Sequence, residues 1–159
     1  MINQRPSIQS ALERLVGKRA WGLRRDIGSI FFLEIGEPVA RPRVLRQHGE
    51  WHFLIEECPW RLETQNEVLV GSEDEQGFID GVFQDLVLGS VERAEVVSPS
   101  HDLVIEFSSG ASFRTFTWSA KATNEWTQWI LYGPPDEEYG WVSDGGGSIK
   151  CITRDEPVR

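Results

Sequence analysis

From Trp21 onward the sequence is a succession of short strand-like runs separated by Gly, Pro, Asp and Ser, and this punctuation limits the folds available to the chain. The runs are Trp21–Arg25, Ser29–Ile35, Val44–Gln47, Trp51–Glu57, Trp60–Thr64, Glu67–Gly71, Ser90–Val97, Asp102–Phe107, Ala111–Trp118, Glu125–Tyr132, Trp141–Ser143 and Ser148–Thr153. Hairpin-type turns fit between them at Asp26–Gly28, His48-Gly49, Ser108-Ser109-Gly110 and Asp144–Gly147. Pro38 and Pro42 make 36–42 a loop or a sheet edge, because proline cannot donate to a ladder. Two segments change period. Ser7 is placed as an N-cap for Ile8, Ala11, Leu12, Leu15 and Val16 at helical spacing, with Gly17 as the stop. Ile79, Val82, Phe83 and Leu86 give a second, shorter helix over Phe78–Leu86. The expected architecture is a single α+β domain over 1–159, mostly antiparallel sheet with two helices and a frayed tail from Asp155.

The strand patterns recur. Phe32-Leu33-Glu34-Ile35 returns 72 residues later as Val104-Ile105-Glu106-Phe107, and Glu50-Trp51 returns 75 residues later as Glu125-Trp126. Each set follows a helix-like stretch. Half-repeats 7–71 and 78–153, each a helix plus about four strands on one shared core, account for this spacing; unrelated strands of similar pattern are the alternative. A duplication would make Glu34 equivalent to Glu106 and Trp51 to Trp126.

The 159 residues suffice for a core without disulfide or metal staples. Cys58 and Cys151 form no framework and read as a buried thiol pair. No apolar run approaches the roughly 20 residues that cross a bilayer, and no charged-then-apolar leader opens the chain, so a cytoplasmic protein off the membrane is expected. Charge is unevenly spread. Residues 1–65 hold ten Lys/Arg against eight Asp/Glu (+2), and residues 66–159 hold six against seventeen (−11), which sum to −9. Such a balance is unsuited to a phosphate backbone, and Lys18, Arg19, Arg24, Arg25, Arg41, Arg43 and Arg46 read as a solvated rim. Acidic charge on one half can steer a basic protein partner.

Seven tryptophans stand beside eight phenylalanines and two tyrosines. Trp51, Trp126 and Trp129 lie inside strand runs, which favours core or cross-strand packing; Trp21, Trp60, Trp118 and Trp141 are undecided between core and surface. Motifs for chemistry are sparse. His48 and His52 can approach across a turn, yet a transition-metal site needs further ligands, and no metal or cofactor is expected. Gly-x-Ser-x-Gly is absent, Ser100-His101-Asp102 is a turn rather than a triad, and the glycines at 145–147 lack the spacing of a phosphate loop. Carboxylates cluster as Glu56-Glu57, Glu73-Asp74-Glu75 and Asp136-Glu137-Glu138, most simply as solvated loops.

Trp60-Arg61-Leu62-Glu63, Val70-Gly71-Ser72, Leu88-Gly89-Ser90-Val91, Leu103 to Gly110 and Glu125-Trp126 together resemble a group of small bacterial proteins without assigned chemistry, over about residues 50–145. Ser109 stands where that group more often has Asp or Asn in the turn. Some of its members are thought to be immunity proteins for polymorphic toxins. The resemblance implies a fold and a non-catalytic protein that masks a toxin's active site, with no catalytic residue to carry over. On that reading Glu73, Asp74, Glu75, Asp136, Glu137 and Glu138 steer a basic toxin, and Trp60, Trp141 and Tyr139 are candidate aromatic anchors. Two other expectations stay open: a small-ligand or carbohydrate-binding β module using exposed Trp, and an enzyme with a carboxylate pair from distant segments.

Overall fold

The computed structural model describes residues 5–28, 30–40, 47–117, 127–144 and 148–153. Ser7 opens the first helix as its sequence demands: its extended backbone (φ −73°, ψ 154°) lets Oγ accept the Ser10 N–H at 3.1 Å. That helix, α1, spans Ile8–Glu13 and buries Ala11 and Leu12, and Gly17 beyond it takes φ +86°. α2 spans Gln76–Asp85 and buries Ile79 and Phe83, one turn apart on its inner face.

Eleven strands carry the rest: β1 Arg19–Arg25, β2 Phe31–Val39, β3 His48–Ile55, β4 Trp60–Glu63, β5 Val68–Gly71, β6 Gly89–Val97, β7 Asp102–Phe107, β8 Ser112–Thr115, β9 Trp129–Tyr132, β10 Tyr139–Ser143 and β11 Ile149–Thr153. All pairings are antiparallel, in the order β11-β10-β9-β3-β2-β1-β6-β7-β8-β4-β5. At the β1–β6 junction the ladder narrows to two pairs, Arg19 with Ser90 and Ala20 with Gly89. The sheet folds over on itself there, so that Phe31 of β2 meets Trp60 of β4 (4.6 Å between rings) and Phe113 of β8 (5.3 Å). Phe83 of α2 closes this aromatic cluster at 5.5 Å from Phe31. A second cluster stacks Trp51 on Trp141 at 6.2 Å and sets Trp129 against Phe53 at 6.1 Å.

The strand runs and the α+β, mainly antiparallel class agree with the sequence, and four local readings need correction. β2 continues through Pro38 to Val39, because Pro38 falls at a register shift opposite Gly49 where no ladder N–H is required. His48-Gly49 is not a turn but the start of β3; Gly49 is there because a Cβ would lie 2.6 Å from the Ile35 carbonyl oxygen. Ala111–Trp118 shortens to the four residues of β8, and the run before Tyr132 to β9. Of the two thiols only Cys58 is buried; Cys151 is half-buried, and the two are not joined in a disulfide. The expectations for residues 41–46, for Trp118, for Glu125-Trp126, for the glycines at 145–147 and for the tail lie outside the described residues.

Candidate functional site

Among the described residues two places gather polar or exposed groups, and the candidate anchors lie at neither. Trp60 and Trp141 are 2% and 1% exposed. Trp60 faces Phe31, Phe83 and Phe113, and the Trp141 indole N–H donates to the Pro6 carbonyl at 3.0 Å. Strand β4 alternates buried and half-buried residues, and its inward positions hold Trp60 and Leu62. These indoles are core side chains, so they cannot be surface anchors. Tyr139 is half-buried and packs on the same core. Trp51 and Trp129 are fully buried, while Trp21 is half-buried with its N–H on the Gly36 carbonyl at 2.8 Å.

The two acidic runs also part company. Glu137, in the β9–β10 connection, makes a two-pronged ion pair with Arg14 beyond the end of α1, which holds its carboxyl below the usual range despite some burial. Asp136 and Glu138 beside it are exposed. Glu73, Asp74 and Glu75 form the exposed turn from β5 into α2, where Asp74 accepts the Gly71 N–H at 2.7 Å. This second run adjoins exposed apolar surface. Phe78 is 53% exposed on α2, Val68 on the edge strand β5 is 59% exposed, and Leu69, Gly77, Phe78, Gly81, Val82 and Leu86 line an open depression of about 470 Å³. Gly77 and Gly81 keep it open, since a Cβ at either would meet nothing within 4 Å. Residues 66–92 contain Glu67, Glu73, Asp74, Glu75, Asp80, Asp85 and Glu92 and no Lys or Arg. The basic-free stretch is legible in the sequence; the exposure of Phe78 depends on which helix face the sheet covers.

The second place is a buried charge. Glu34 interrupts the apolar run of β2, and a carboxylate there is costly unless paired and hydrogen-bonded. It is 0% exposed on the sheet face opposite the core-facing Leu33 and Ile35. A bulge in β1 supplies its first partner. Trp21 pairs with Glu34 and Arg24 with Phe32, so Gly22 and Leu23 together oppose Leu33. The extra residue lets Leu23 pack on the core and puts Arg24 beside Glu34, its guanidinium 2.9 Å from Oε1 and 4.9 Å from the Phe32 ring. Gly22 takes φ +65°, and a Cβ there would lie 2.8 Å from Glu34 Cγ.

Strand β3 supplies the others. His52 lies directly opposite Glu34 with Nδ1 2.7 Å from Oε1, and the Gly49 N–H donates to Oε2 at 2.8 Å. The register shift between Ile35 and Pro38 sets Gly36 (φ +89°) and Glu37 against Glu50, which bends the pair of strands. His48 thereby reaches the same carboxylate, its Nδ1 3.3 Å from Oε1 and 3.3 Å from His52 Nδ1. The His52 ring lies between Phe32 (5.2 Å) and Tyr132 (6.1 Å), nearly parallel to both. Burial alone would raise the Glu34 carboxyl; the His52 hydrogen bond and charge, the Gly49 N–H and Arg24 outweigh it and hold the group below its usual range. The two histidines are legible in the sequence as neighbours. Their third partner is not, because the contact depends on cross-strand register and two bulges.

Ser100-His101-Asp102 is a turn as expected, with His101 at φ 57° and Ser100 Oγ donating to Asp102 at 2.8 Å. No family model matches the chain, and neither a curated protein nor a solved structure is similar to it.

Proposed function

We infer that the chain is a non-catalytic binding protein whose α2 face takes a basic protein partner. The observation that carries this is Phe78, half exposed over an apolar depression and surrounded in sequence by seven acids without a single base. An aromatic anchor in an apolar patch with a charged surround has the layout of an interface: a desolvated centre, and a rim that steers and selects. Asp80 is engaged by Arg25, whereas Glu73, Glu75 and Asp85 are exposed. The resemblance to proteins that include toxin immunity proteins agrees with a basic enzyme as the partner, neutralised by masking of its active site. Carbohydrate binding through paired exposed tryptophans has no such support among the described residues.

The strand order favours a true duplication behind this fold. Read outward from the β1–β6 junction, β2-β3-β9-β10 on one side answers β7-β8-β4-β5 on the other, each block with a helix before it in sequence. The two strands after β3 extend the other half, and the three after β8 extend the first, with β11 as an extra outer strand. Glu34 and Glu106 fall in matching strands, but Glu34 faces His52 while Glu106 faces Ser112. The halves have therefore diverged in chemistry.

The test is capture from cells that encode the chain, at low and high salt, with the wild type, Phe78→Ser and a Glu73→Lys/Asp74→Lys/Glu75→Lys variant. One stoichiometric basic protein, retained by the wild type and lost from both variants, supports the reading. Capture that neither change weakens, or no protein at either salt, removes it.

A further inference from the structure

We propose that Glu34, His48 and His52 form a binding site for a divalent first-row transition ion of the zinc type. The three ligand atoms converge: Glu34 Oε1 to His52 Nδ1 is 2.7 Å, Glu34 Oε1 to His48 Nδ1 is 3.3 Å, and the two Nδ1 atoms are 3.3 Å apart. Zinc holds imidazole and carboxylate at about 2.0–2.2 Å in a tetrahedron, which separates neighbouring ligand atoms by roughly 3.3–3.4 Å. Two edges of this triangle have that length. The third has the length of a hydrogen bond and opens by about half an ångström when an ion replaces the proton between its ends. An ion about 2 Å from all three atoms stands about 0.7 Å off their plane, with its fourth position left for water or another ligand.

Three groups crowd onto one carboxylate oxygen in this cluster. Glu34 Oε1 already takes Arg24 at 2.9 Å and His52 at 2.7 Å, which fills its two lone pairs. His48 Nδ1 nonetheless comes within 3.3 Å of the same oxygen and 3.3 Å of His52 Nδ1. Two imidazole nitrogens and one carboxylate oxygen aimed at one spot constitute a donor set for Zn²⁺, Co²⁺, Ni²⁺ or Cu²⁺, and not for Mg²⁺ or Ca²⁺, which prefer oxygen alone. The surroundings hold the ligands in place before any ion arrives. Phe32 and Tyr132 flank the His52 ring, and the Gly49 N–H and Arg24 orient the carboxylate, the outer-shell support that ligating groups require. Arg24 also brings positive charge close to the ion, which sets the expected affinity in the micromolar range and not tighter. Glu106, opposite Ser112, has no imidazole across the ladder, so among the described residues the set lies in one half of the sheet.

The experiment uses the untagged full chain, stripped with chelator and dialysed, titrated with Zn²⁺ by calorimetry and with Co²⁺ by visible absorption. One zinc per chain at micromolar affinity is expected, with Co²⁺ bands of four- or five-coordinate intensity and no heat from Mg²⁺. His48 is the most exposed ligand, its side chain at 16%, so His48→Ala should keep the circular dichroism and urea midpoint while weakening zinc at least tenfold. His101→Ala should change nothing. Absence of stoichiometric zinc binding by the wild type overturns the proposal, and so does binding that survives both His48→Ala and His52→Ala. Should His52→Ala unfold the chain, His48→Ala with the Co²⁺ spectrum decides alone. Partner capture through α2 is a separate readout on other residues.

Discussion

Replacing Trp60 separates the core from the interface. The side chain is 2% exposed, and its ring meets Phe31 at 4.6 Å, Phe83 at 5.7 Å and Phe113 at 6.4 Å. Burying an indole removes roughly 200–250 Å² from water, worth about 5–6 kcal/mol at about 25 cal/mol per Å². Truncation of such a core ring to alanine costs about 3–5 kcal/mol. Against that stands the indole N–H, which finds no acceptor among the described residues and whose removal returns about 1 kcal/mol. Trp60→Ala should therefore cost about 2–4 kcal/mol, a fall in Tm of about 4–16 °C for a domain of this size. Trp60→Phe keeps an aromatic ring in the cluster and discards the unpaired donor, so about 1 kcal/mol or less should be lost. Urea unfolding followed by the fluorescence of the remaining tryptophans measures both. A loss below about 1.5 kcal/mol for the alanine variant, or equal losses for the two, would refute the argument. Either variant, once corrected for its folded fraction, should capture the partner as the wild type does.

Gly22→Ala forces a side chain to φ +65° and places a Cβ 2.8 Å from Glu34 Cγ, so about 1–3 kcal/mol should be lost in the same unfolding assay; a change under about 0.5 kcal/mol would show that the β1 bulge is dispensable. The Cys58 thiol, pushed up to about 12 by burial and by the charge of Asp102, should resist a disulfide reagent at pH 8 in the folded Cys151→Ser variant and react at once in urea. Glu56 has its carboxyl raised by burial and by Glu57. A folded-state value above the unfolded one means stability is greatest when the group is protonated and falls as pH rises through the folded value. Glu56→Gln should accordingly stabilise the protein near neutral pH and lose that advantage below about pH 4, read from urea midpoints at the two pH values.

How far each feature was legible follows from the range of the interactions that make it. Ser7 and its helix, the turn at Ser108-Ser109-Gly110, the strand Asp102–Phe107 and the short α2 depend on neighbours within a few positions, and period and punctuation determine them. The class of the fold follows, because many short antiparallel strands with two amphipathic helices have few ways to bury their apolar faces. The fate of Trp60 and Trp141 does not follow. An aromatic at a strand position reads alike whether its face is later covered or left open; the folding over of the sheet at β1–β6 sets Phe31 on Trp60, while Trp141 stacks on Trp51 and reaches the Pro6 carbonyl. Phe78 shows the converse, a ring at a helical position that stays half exposed.

Glu34 marks the boundary most clearly. A charge inside an apolar strand announces, from sequence alone, that something must compensate it. Which groups do so depends on the register of β2 against β3, on a bulge that turns Arg24 outward, and on a bend at Gly36 and Gly49 that brings His48 round to His52. A shift of one residue in either pairing would send each of these side chains to the other face of the sheet. The amino-acid order thus determined the elements, the class and the need for a partner at Glu34. The partners themselves were decided by tertiary structure, because register and bulges arise from the packing of segments distant in sequence.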